Sequence, residues 1–136
     1  MARVVFGTDM KTVVSDAAVE YLRGAGHEVV VVREGDPWPE VGRDVGESVA
    51  GGKADWGVVC CWTGTGVSMA ANKVSGVRAA LCGDAETAKG ARKWNDANVL
   101  AIGLRLTSPE VMKEMLEAFA SAEPDPSEAE NIAKLG

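Results

Sequence analysis

Metal-binding and disulfide-forming residues are scarce in this chain. It has a single histidine, His27, and three cysteines, two of which are adjacent at Cys60 and Cys61. An odd number of cysteines that includes a neighbouring pair does not form a disulfide framework, and the lack of a Cys-x-x-Cys spacing argues against a zinc site. We therefore expect a protein without structural disulfides, without a bound metal ion and without another cofactor.

Long apolar runs and an excess of positive charge are also missing. No stretch approaches the roughly 18 apolar residues of a membrane span. The formal net charge is −6, which argues against a nucleic-acid partner because phosphate backbones are bound by basic surfaces. Residues 1–6 have the pattern of a strand and not of a secretory leader. We expect no membrane partner, no nucleic-acid partner and a cytoplasmic location.

What the chain does contain is a regular alternation of strand and helix patterns. Its 136 residues, 46% of them apolar and 25% charged, suit one soluble domain. Strands are predicted at residues 3–6, 27–32, 56–60, 77–82 and 98–102, and helices at 13–22, 41–50, 67–73, 84–94 and from 109 onward. Strands that alternate with helices predict an α/β fold, a Rossmann-like three-layer α/β/α sandwich around a five-stranded parallel sheet.

Prolines mark two segments that are not expected to join this regular structure. Residues 35–39 contain Pro37 and Pro39, and we interpret them as a rigid loop because proline fixes φ and lacks an N–H donor. Residues 122–136 are acidic, broken by prolines and poor in apolar side chains. We therefore predict one domain over residues 1–121, followed by an acidic C-terminal tail over residues 122–136.

The most informative stretch is residues 61–73, which joins a buried apolar strand to a helix through a turn that contains glycine. Gly64 and Gly66 permit positive φ values and close approach of a ligand, and the free N–H groups of the following helix face the same space. Such a turn stabilises an anion, or an oxyanion that develops during a reaction. Cys61 and Thr63 lie at this edge, where open α/β sheets bind ligands. A thiol beside a helix N-terminus tends toward the thiolate, so Cys61 is a candidate base or nucleophile.

Two ordered blocks of residues stand out in the middle of the chain. They consist of Cys61, Thr63, Gly64, Gly66, Ser68, Ala70 to Lys73 and Gly76 to Cys82, and of Ala88, Lys89, Ala91, Arg92, Asn95 to Leu100, Gly103 and Arg105. A lone Gly-x-Gly is a weak signal, whereas two long blocks in this order and spacing are specific. They resemble the ribose-5-phosphate isomerase B / galactose-6-phosphate isomerase family, and the likeness extends from residue 3 to about residue 119.

The resemblance implies an aldose–ketose isomerase that moves a proton between C1 and C2 of a sugar or sugar phosphate through an enediolate. By position, Cys61 matches the base that removes the C2 proton, and Thr63 matches the hydroxyl that assists at the neighbouring oxygen. The positions that match substrate-binding residues are Asp9, Trp38, Trp62, Gly64, Thr65, Gly66, Ser68, Trp94, Asn95 and Arg105. The family also implies a homo-oligomer, a dimer or tetramer whose sites are completed across the subunit interface.

The chain departs from the family pattern at the site itself. Met10 and Trp94 stand where the family usually has histidines, which help with the phosphate and with opening the sugar ring. Trp62 replaces a glycine, and Trp38 replaces a tyrosine. The acidic tail replaces a segment that carries phosphate-binding arginines, so Arg105 is the one family anchor left. We therefore expect weak binding and poor turnover of ribose 5-phosphate. A shorter or unphosphorylated substrate that is already open-chain is expected to do relatively better.

The residues alone leave other roles open. Cys61 could be a small buried core thiol, as most free cysteines are. Cys60 points to the opposite face of its strand and is expected in the core, while His27 has no expected catalytic role. The tryptophans fit either ligand contact or packing at a subunit interface. The alternative to an isomerase is a catalytically degenerate homologue that keeps the turn for structure or for binding a small ligand.

Overall fold

A computed structural model describes every residue from Met1 to Gly136 and confirms the predicted α/β architecture. The strands are β1 (Arg3–Thr8), β2 (Glu28–Glu34), β3 (Trp56–Cys61), β4 (Ala79–Leu81) and β5 (Val99–Gly103). The α-helices are α1 (Val13–Gly24), α2 (Trp38–Ala50), α3 (Thr65–Asn72), α4 (Ala85–Asn95), α5 (Pro109–Ser121) and α6 (Ala129–Ala133), with a short 3₁₀ helix at Pro126–Glu128. No helix is long and apolar enough to cross a membrane.

The five strands form one parallel sheet in the order β2-β1-β3-β5-β4. The connection from β1 leads outward to β2 on one side, and the connection from β3 leads to β4 on the other side. Strands β1 and β3 are therefore neighbours whose following segments diverge. A crevice opens at the carboxyl ends of such strands, and this is where open α/β sheets bind ligands.

Helices cover both faces of the sheet. Helices α1, α4 and α5 pack together on one face over a core that includes Phe6, Leu100 and Phe119, while α2 and α3 cover the other face. Strand β3 is buried along its whole length, and its side chains alternate between the two cores. Cys60 thus lies in the core beneath α1, α4 and α5, as expected, and Cys61 lies on the side of α2 and α3.

Helix α2 corrects the interpretation of residues 35–39 as a loop. The helix starts at Trp38, with Pro37 as its N-cap residue and Pro39 within the first turn. Proline is tolerated there because the first N–H groups of a helix have no partner inside the helix. The helix therefore begins three residues before the predicted start at Val41, and it places Trp38 at the carboxyl edge of the sheet.

Two other segments differ from their sequence interpretation. Strand β4 spans only Ala79–Leu81, shorter than the predicted 77–82, and the side chain of Asn72 bonds to both the N–H and the carbonyl oxygen of Ala79, at 2.8 and 2.9 Å. The predicted acidic tail contains the 3₁₀ helix and α6. It is joined to helix α4 by a 2.7 Å hydrogen bond from the Asp125 N–H to the Lys93 carbonyl oxygen.

Candidate active site

The carboxyl ends of β1 and β3 bring Asp9 and Cys61 to one crevice. The Asp9 N–H donates to the carbonyl oxygen of Cys60 at 3.1 Å, which fixes the loop after β1 beside the end of β3. The Thr8 hydroxyl, fully buried, donates to the Met10 carbonyl oxygen at 2.6 Å and shapes the same loop. Asp9 is therefore held next to the cysteine pair by backbone contacts that do not depend on its own side chain.

The turn after β3 has the predicted positive φ at Gly64 but not at Gly66. Gly64 is the N-cap residue of α3 and has φ of 79°, in the left-handed region that favours glycine. A Cβ built at Gly64 would lie 2.5 Å from a methyl carbon of Leu81 and 2.8 Å from the Gly103 nitrogen. Gly103 is equally constrained, since a Cβ there would lie 2.6 Å from the Thr63 carbonyl oxygen. The turn is thus pressed against the ends of β4 and β5.

Backbone N–H groups at the start of α3 form an unpartnered cluster of donors. The first hydrogen bond of the helix runs from the Ser68 N–H to the Gly64 carbonyl oxygen at 3.2 Å. The N–H groups of Thr65, Gly66 and Val67 precede it and donate to no backbone acceptor. These donors, at the positive end of the helix, can stabilise a developing oxyanion. Val67 extends the predicted cradle by one residue. Val67 could have been predicted from the sequence, because the N–H groups in the first turn of a helix have no partner within the helix.

Cys61 reaches this cluster from the end of the buried strand. Its residue surface is 5% exposed, and its carbonyl oxygen accepts a 2.9 Å hydrogen bond from the Leu104 N–H. Cys60 is fully buried, and this burial raises the pKa of its thiol, so it is unsuited to act as a base. The Thr63 hydroxyl lies 2.8 Å from the hydroxyl of Thr65, and both side chains are exposed at the turn. A thiol, a hydroxyl and free N–H groups therefore converge within a few residues.

Asp9 carries an unsatisfied acceptor into the crevice. Its Oδ1 atom is buried and has no hydrogen-bond partner within the chain. Burial also raises the pKa of the Asp9 carboxyl above its usual range, against a smaller lowering by a backbone hydrogen bond. A buried acceptor without a partner is costly, and a ligand hydroxyl would satisfy it. No group of three or more histidine, cysteine, aspartate or glutamate side chains is placed to hold a metal ion.

Near the carboxyl ends of the strands, Arg105 is the basic side chain that has no ion-pair partner. The Arg105 N–H donates to the Trp62 carbonyl oxygen at 2.9 Å, and its exposed side chain forms no ion pair. Lys11 is held by Asp16 at 2.7 Å, and Arg33 by Asp44 at 2.6 Å. Arg105 is thus the residue best placed to bind an anionic group of a ligand.

Two half-exposed indoles flank the turn. The side chain of Trp38, at the start of α2, lies so close to Gly66 that a Cβ at Gly66 would be 2.9 Å from two of its ring atoms. Trp38 is 46% exposed and Trp62 is 51% exposed. Partly exposed indoles beside a polar turn can pack against an apolar face of a ligand. Ser68 lies one turn into α3 and is half-buried.

The structure does not bring two of the predicted site residues to this crevice. Helix α4 begins after β4 at the carboxyl edge, so its last residues, Trp94 and Asn95, lie toward the opposite edge of the sheet. The next residue, Asp96, forms a 3.2 Å ion pair with Arg78, which precedes β4. Within one chain, Trp94 and Asn95 are therefore separated from Cys61, and their part in the site stays a prediction that requires a second copy. Their distance from Cys61 follows from the direction of α4, because a crossover helix runs antiparallel to the strands it connects.

Comparison with known proteins identifies the family to which this chain is similar. Residues 4–135 match the family model described as Ribose/Galactose Isomerase. The galactose-6-phosphate isomerase subunit LacB of Clostridium acetobutylicum is 40% identical over 112 residues, which are 79% of this chain and 65% of that protein, less than two thirds of its length. Ribose-5-phosphate isomerase B of Escherichia coli is 35% identical over 90% of this chain and 86% of its own length. D-erythrulose-4-phosphate isomerase of Pectobacterium atrosepticum is 34% identical over 90% and 85%.

Solved structures agree with this match. The fold superimposes on ribose-5-phosphate isomerase B of Clostridium thermocellum with a TM-score of 0.92 at 31% identity, over 98% of this chain and 95% of that one. It superimposes on the type B ribose 5-phosphate isomerase of Trypanosoma brucei with a TM-score of 0.88 at 36% identity, over 99% and 97%. The likeness therefore covers nearly the whole chain.

Proposed function

The chain belongs to the ribose/galactose isomerase family, and we propose that it interconverts an aldose phosphate and the corresponding ketose phosphate. The observation that carries this proposal is the set of unpartnered N–H groups at Thr65, Gly66 and Val67, beside Cys61 and Thr63. Proton transfer next to a carbonyl needs a base and a cradle for the oxyanion, and both are present at one turn.

In the proposed mechanism, the Cys61 thiolate removes the proton from C2 of the open-chain aldose. The C2–H electron pair forms the C1–C2 double bond, and the carbonyl π electrons move to O1, whose negative charge is stabilised by the N–H groups at the start of α3. Thr63 passes a proton between O2 and O1, and C1 takes a proton from the Cys61 thiol. The C2 carbonyl then forms, and the product is the ketose.

The remaining residues of the crevice are proposed to hold the substrate. Asp9 accepts a hydrogen bond from a sugar hydroxyl, which gives its buried Oδ1 atom a partner. Arg105 binds the phosphate, because it is exposed and free of ion pairs. Trp38 and Trp62 pack against the carbon chain, and Ser68 adds a hydroxyl beside the cradle. The amide of Gly64 is proposed to face O1 together with the N–H groups of Thr65, Gly66 and Val67.

A second copy of the chain is proposed to complete the site, in a homodimer or a larger homo-oligomer. Trp94 and Asn95 lie far from Cys61 of their own chain, so only another copy can bring them to it. The edge around β4 and α3 also exposes apolar side chains that a partner copy would cover: Met69 is 62% exposed, Leu81 43% and Trp94 53%.

Two further features of the molecule belong to this proposal. We propose that residues 1–121 form the catalytic domain and that residues 122–136 form an acidic extension attached to α4. All three cysteines are free, which suits the reducing conditions of the cytoplasm. Sugar phosphates are intracellular metabolites in general, so a cytoplasmic location also fits the substrate.

The test is incorporation of deuterium from solvent at C2 of candidate aldoses or at C1 of candidate ketoses, because a ketose carries no hydrogen on C2. Ribose 5-phosphate, galactose 6-phosphate and erythrulose 4-phosphate, with their unphosphorylated counterparts, would be incubated with the protein in deuterated buffer and followed by NMR. Exchange accompanied by conversion between aldose and ketose supports the proposal. Absence of exchange with every sugar, while one of them still binds, would support the inactive ligand-binding homologue instead.

A further inference from the structure

Most aldoses of five or more carbons must be opened before an enediolate can form. In solution they exist as cyclic hemiacetals, which have no free carbonyl and no acidic C2 proton. Opening moves the proton of the anomeric hydroxyl away and delivers one to the ring oxygen. A side chain that titrates near neutral pH catalyses both transfers, and imidazole does so best.

The one imidazole of this chain is at the wrong edge of the sheet. Nδ1 of His27 accepts a 3.2 Å hydrogen bond from the Ala2 N–H. The ring packs edge-on against Trp56, with 5.9 Å between centroids. Trp56 is the first residue of β3, whereas Cys61 is the last, so His27 lies at the amino edge of the strand that carries Cys61 at its carboxyl end. In a second copy of the chain, His27 would likewise be held by Ala2 and Trp56 at the amino edge of the sheet.

The other groups at the crevice do not replace an imidazole. Neither Trp94 nor Asn95, the residues proposed to arrive from a second copy, gains or loses a proton near neutral pH. Hydroxyls such as those of Thr63 and Ser68 do not titrate in that range either. Cys61 is occupied with the proton on C2. Asp9 remains as a single carboxyl, while ring opening requires a donor at one oxygen and an acceptor at another.

Resting on the proposed function, we propose that this enzyme takes its substrate only as an open chain, a sugar phosphate that cannot form a ring. Closure to a five-membered ring uses the oxygen on C4 of an aldose. A tetrose 4-phosphate has that oxygen esterified, so it cannot close a ring. The indole of Trp38, packed against Gly66 beside the cradle, also leaves less room for a long chain than a small side chain would.

The test compares three aldose phosphates in the same C2 exchange assay. They are erythrose 4-phosphate, ribose 5-phosphate and 4-deoxyribose 5-phosphate, whose length equals that of ribose 5-phosphate but which cannot close a ring. We expect kcat/KM for the tetrose phosphate and the 4-deoxy compound to exceed that for ribose 5-phosphate by at least tenfold. Equal values for ribose 5-phosphate and its 4-deoxy analogue would overturn the inference, since the enzyme would then open the ring itself. No exchange with any of the three would overturn the proposed function, and the inference with it.

A second measurement needs no analogue. As the enzyme concentration is raised, turnover of ribose 5-phosphate should reach a ceiling set by spontaneous ring opening, and added imidazole buffer should raise that ceiling. Turnover of erythrose 4-phosphate should rise in proportion to enzyme and be unaffected by imidazole. A linear, imidazole-independent rate with ribose 5-phosphate would contradict the inference while leaving the isomerase activity established.

Discussion

Cys60 and Cys61 are neighbours in the sequence but lie in different cores, so they form a matched pair for testing the base. Cys61→Ala should lower C2 exchange by about 10²–10⁴-fold, the usual contribution of a general base. Its circular dichroism and thermal midpoint should stay close to the wild-type values. Cys60→Ala should keep its exchange activity and lose some stability, since it removes a fully buried sulfur. Equal activity of wild type and Cys61→Ala would rule out Cys61 as the base.

The buried Asp9 carboxylate should lower the stability of the folded protein, although it is proposed to bind a sugar hydroxyl. Burial raises the pKa of its carboxyl, so the folded protein holds this proton more tightly than the unfolded chain does. The stability that follows is present at low pH and is lost as the pH rises through the pKa of the folded state. Asp9→Asn should therefore raise the thermal midpoint relative to wild type at pH 7, and this gain should shrink toward about pH 4. Exchange activity should fall.

The readout for Asp9 is the difference between the two thermal midpoints across the pH series, measured by calorimetry. The wild-type chain and Asp9→Asn differ only at this carboxyl, so acid effects on other groups cancel in the difference. A difference that does not change with pH would mean that Asp9 titrates as an ordinary surface carboxyl.

Arg105 should determine how well a phosphate is bound. A hydrogen bond to a charged group contributes about 1.5–3 kcal/mol, so Arg105→Met should raise KM for a phosphorylated substrate by about ten- to hundredfold. The KM for the corresponding free sugar should change little. Arg3→Met is the control, because Arg3 lies at the amino edge in an exposed ion pair with Glu28. An unchanged phosphate KM in the Arg105 variant would show that another basic residue, such as Arg43 or Arg92 of a second copy, has taken over the anchor.

At the scale of elements, the cradle depends on how closely α2 approaches α3. A Cβ built at Gly42 of α2 would lie 2.5 Å from the Ala70 Cβ and 2.8 Å from the Val67 carbonyl oxygen. Gly42→Ala should therefore push α3 away and cost about 1–3 kcal/mol of unfolding free energy. It should also lower kcat, because the N–H groups of the cradle belong to the first turn of α3.

Gly24 offers the matched control for this prediction. It is the last residue of α1, and a Cβ there would have no atom within 4 Å. Gly24→Ala should be neutral or stabilising, because alanine is the better helix former, by up to about 1 kcal/mol. Chemical denaturation of both variants with parallel exchange assays checks the pair. Equal effects at Gly24 and Gly42 would contradict the importance of the α2–α3 contact.

At the scale of the whole molecule, Cys61 and Asn95 lie apart in one chain, so mixed dimers of two variants can test whether two chains share one site. Cys61→Ala and Asn95→Ala should each be nearly inactive as homo-oligomers. If a second copy supplies Asn95, each mixed dimer contains one intact site and one doubly altered site, so the purified mixed dimers should have about half of the wild-type activity. The two chains would be co-expressed with different tags and purified through both. Mixed dimers without activity, or a monomer by light scattering at micromolar concentration, would contradict the shared site.

Local features of the sequence were enough to determine the fold class and the central turn. Strands and helices are encoded by the period of apolar residues, and Gly64 and Gly66 mark the turn through their backbone freedom. These signals act over a few residues, so Cys61, Thr63 and the cradle could be predicted together before any tertiary contact was known. The same local reasoning failed at Trp38, where two prolines predicted a loop and the chain forms the first turn of α2.

Only the tertiary structure decided which distant residues meet. The place of β5 between β3 and β4, the burial of Asp9 Oδ1 and the pressing of Trp38 onto Gly66 each depend on contacts between elements that are far apart in the sequence. The direction of α4 carries Trp94 and Asn95 away from Cys61, although Cys61 and Asn95 belong to the two ordered blocks of the sequence. The burial of a residue and its distance from other residues depend on many such contacts, so they cannot be predicted from a short stretch of sequence.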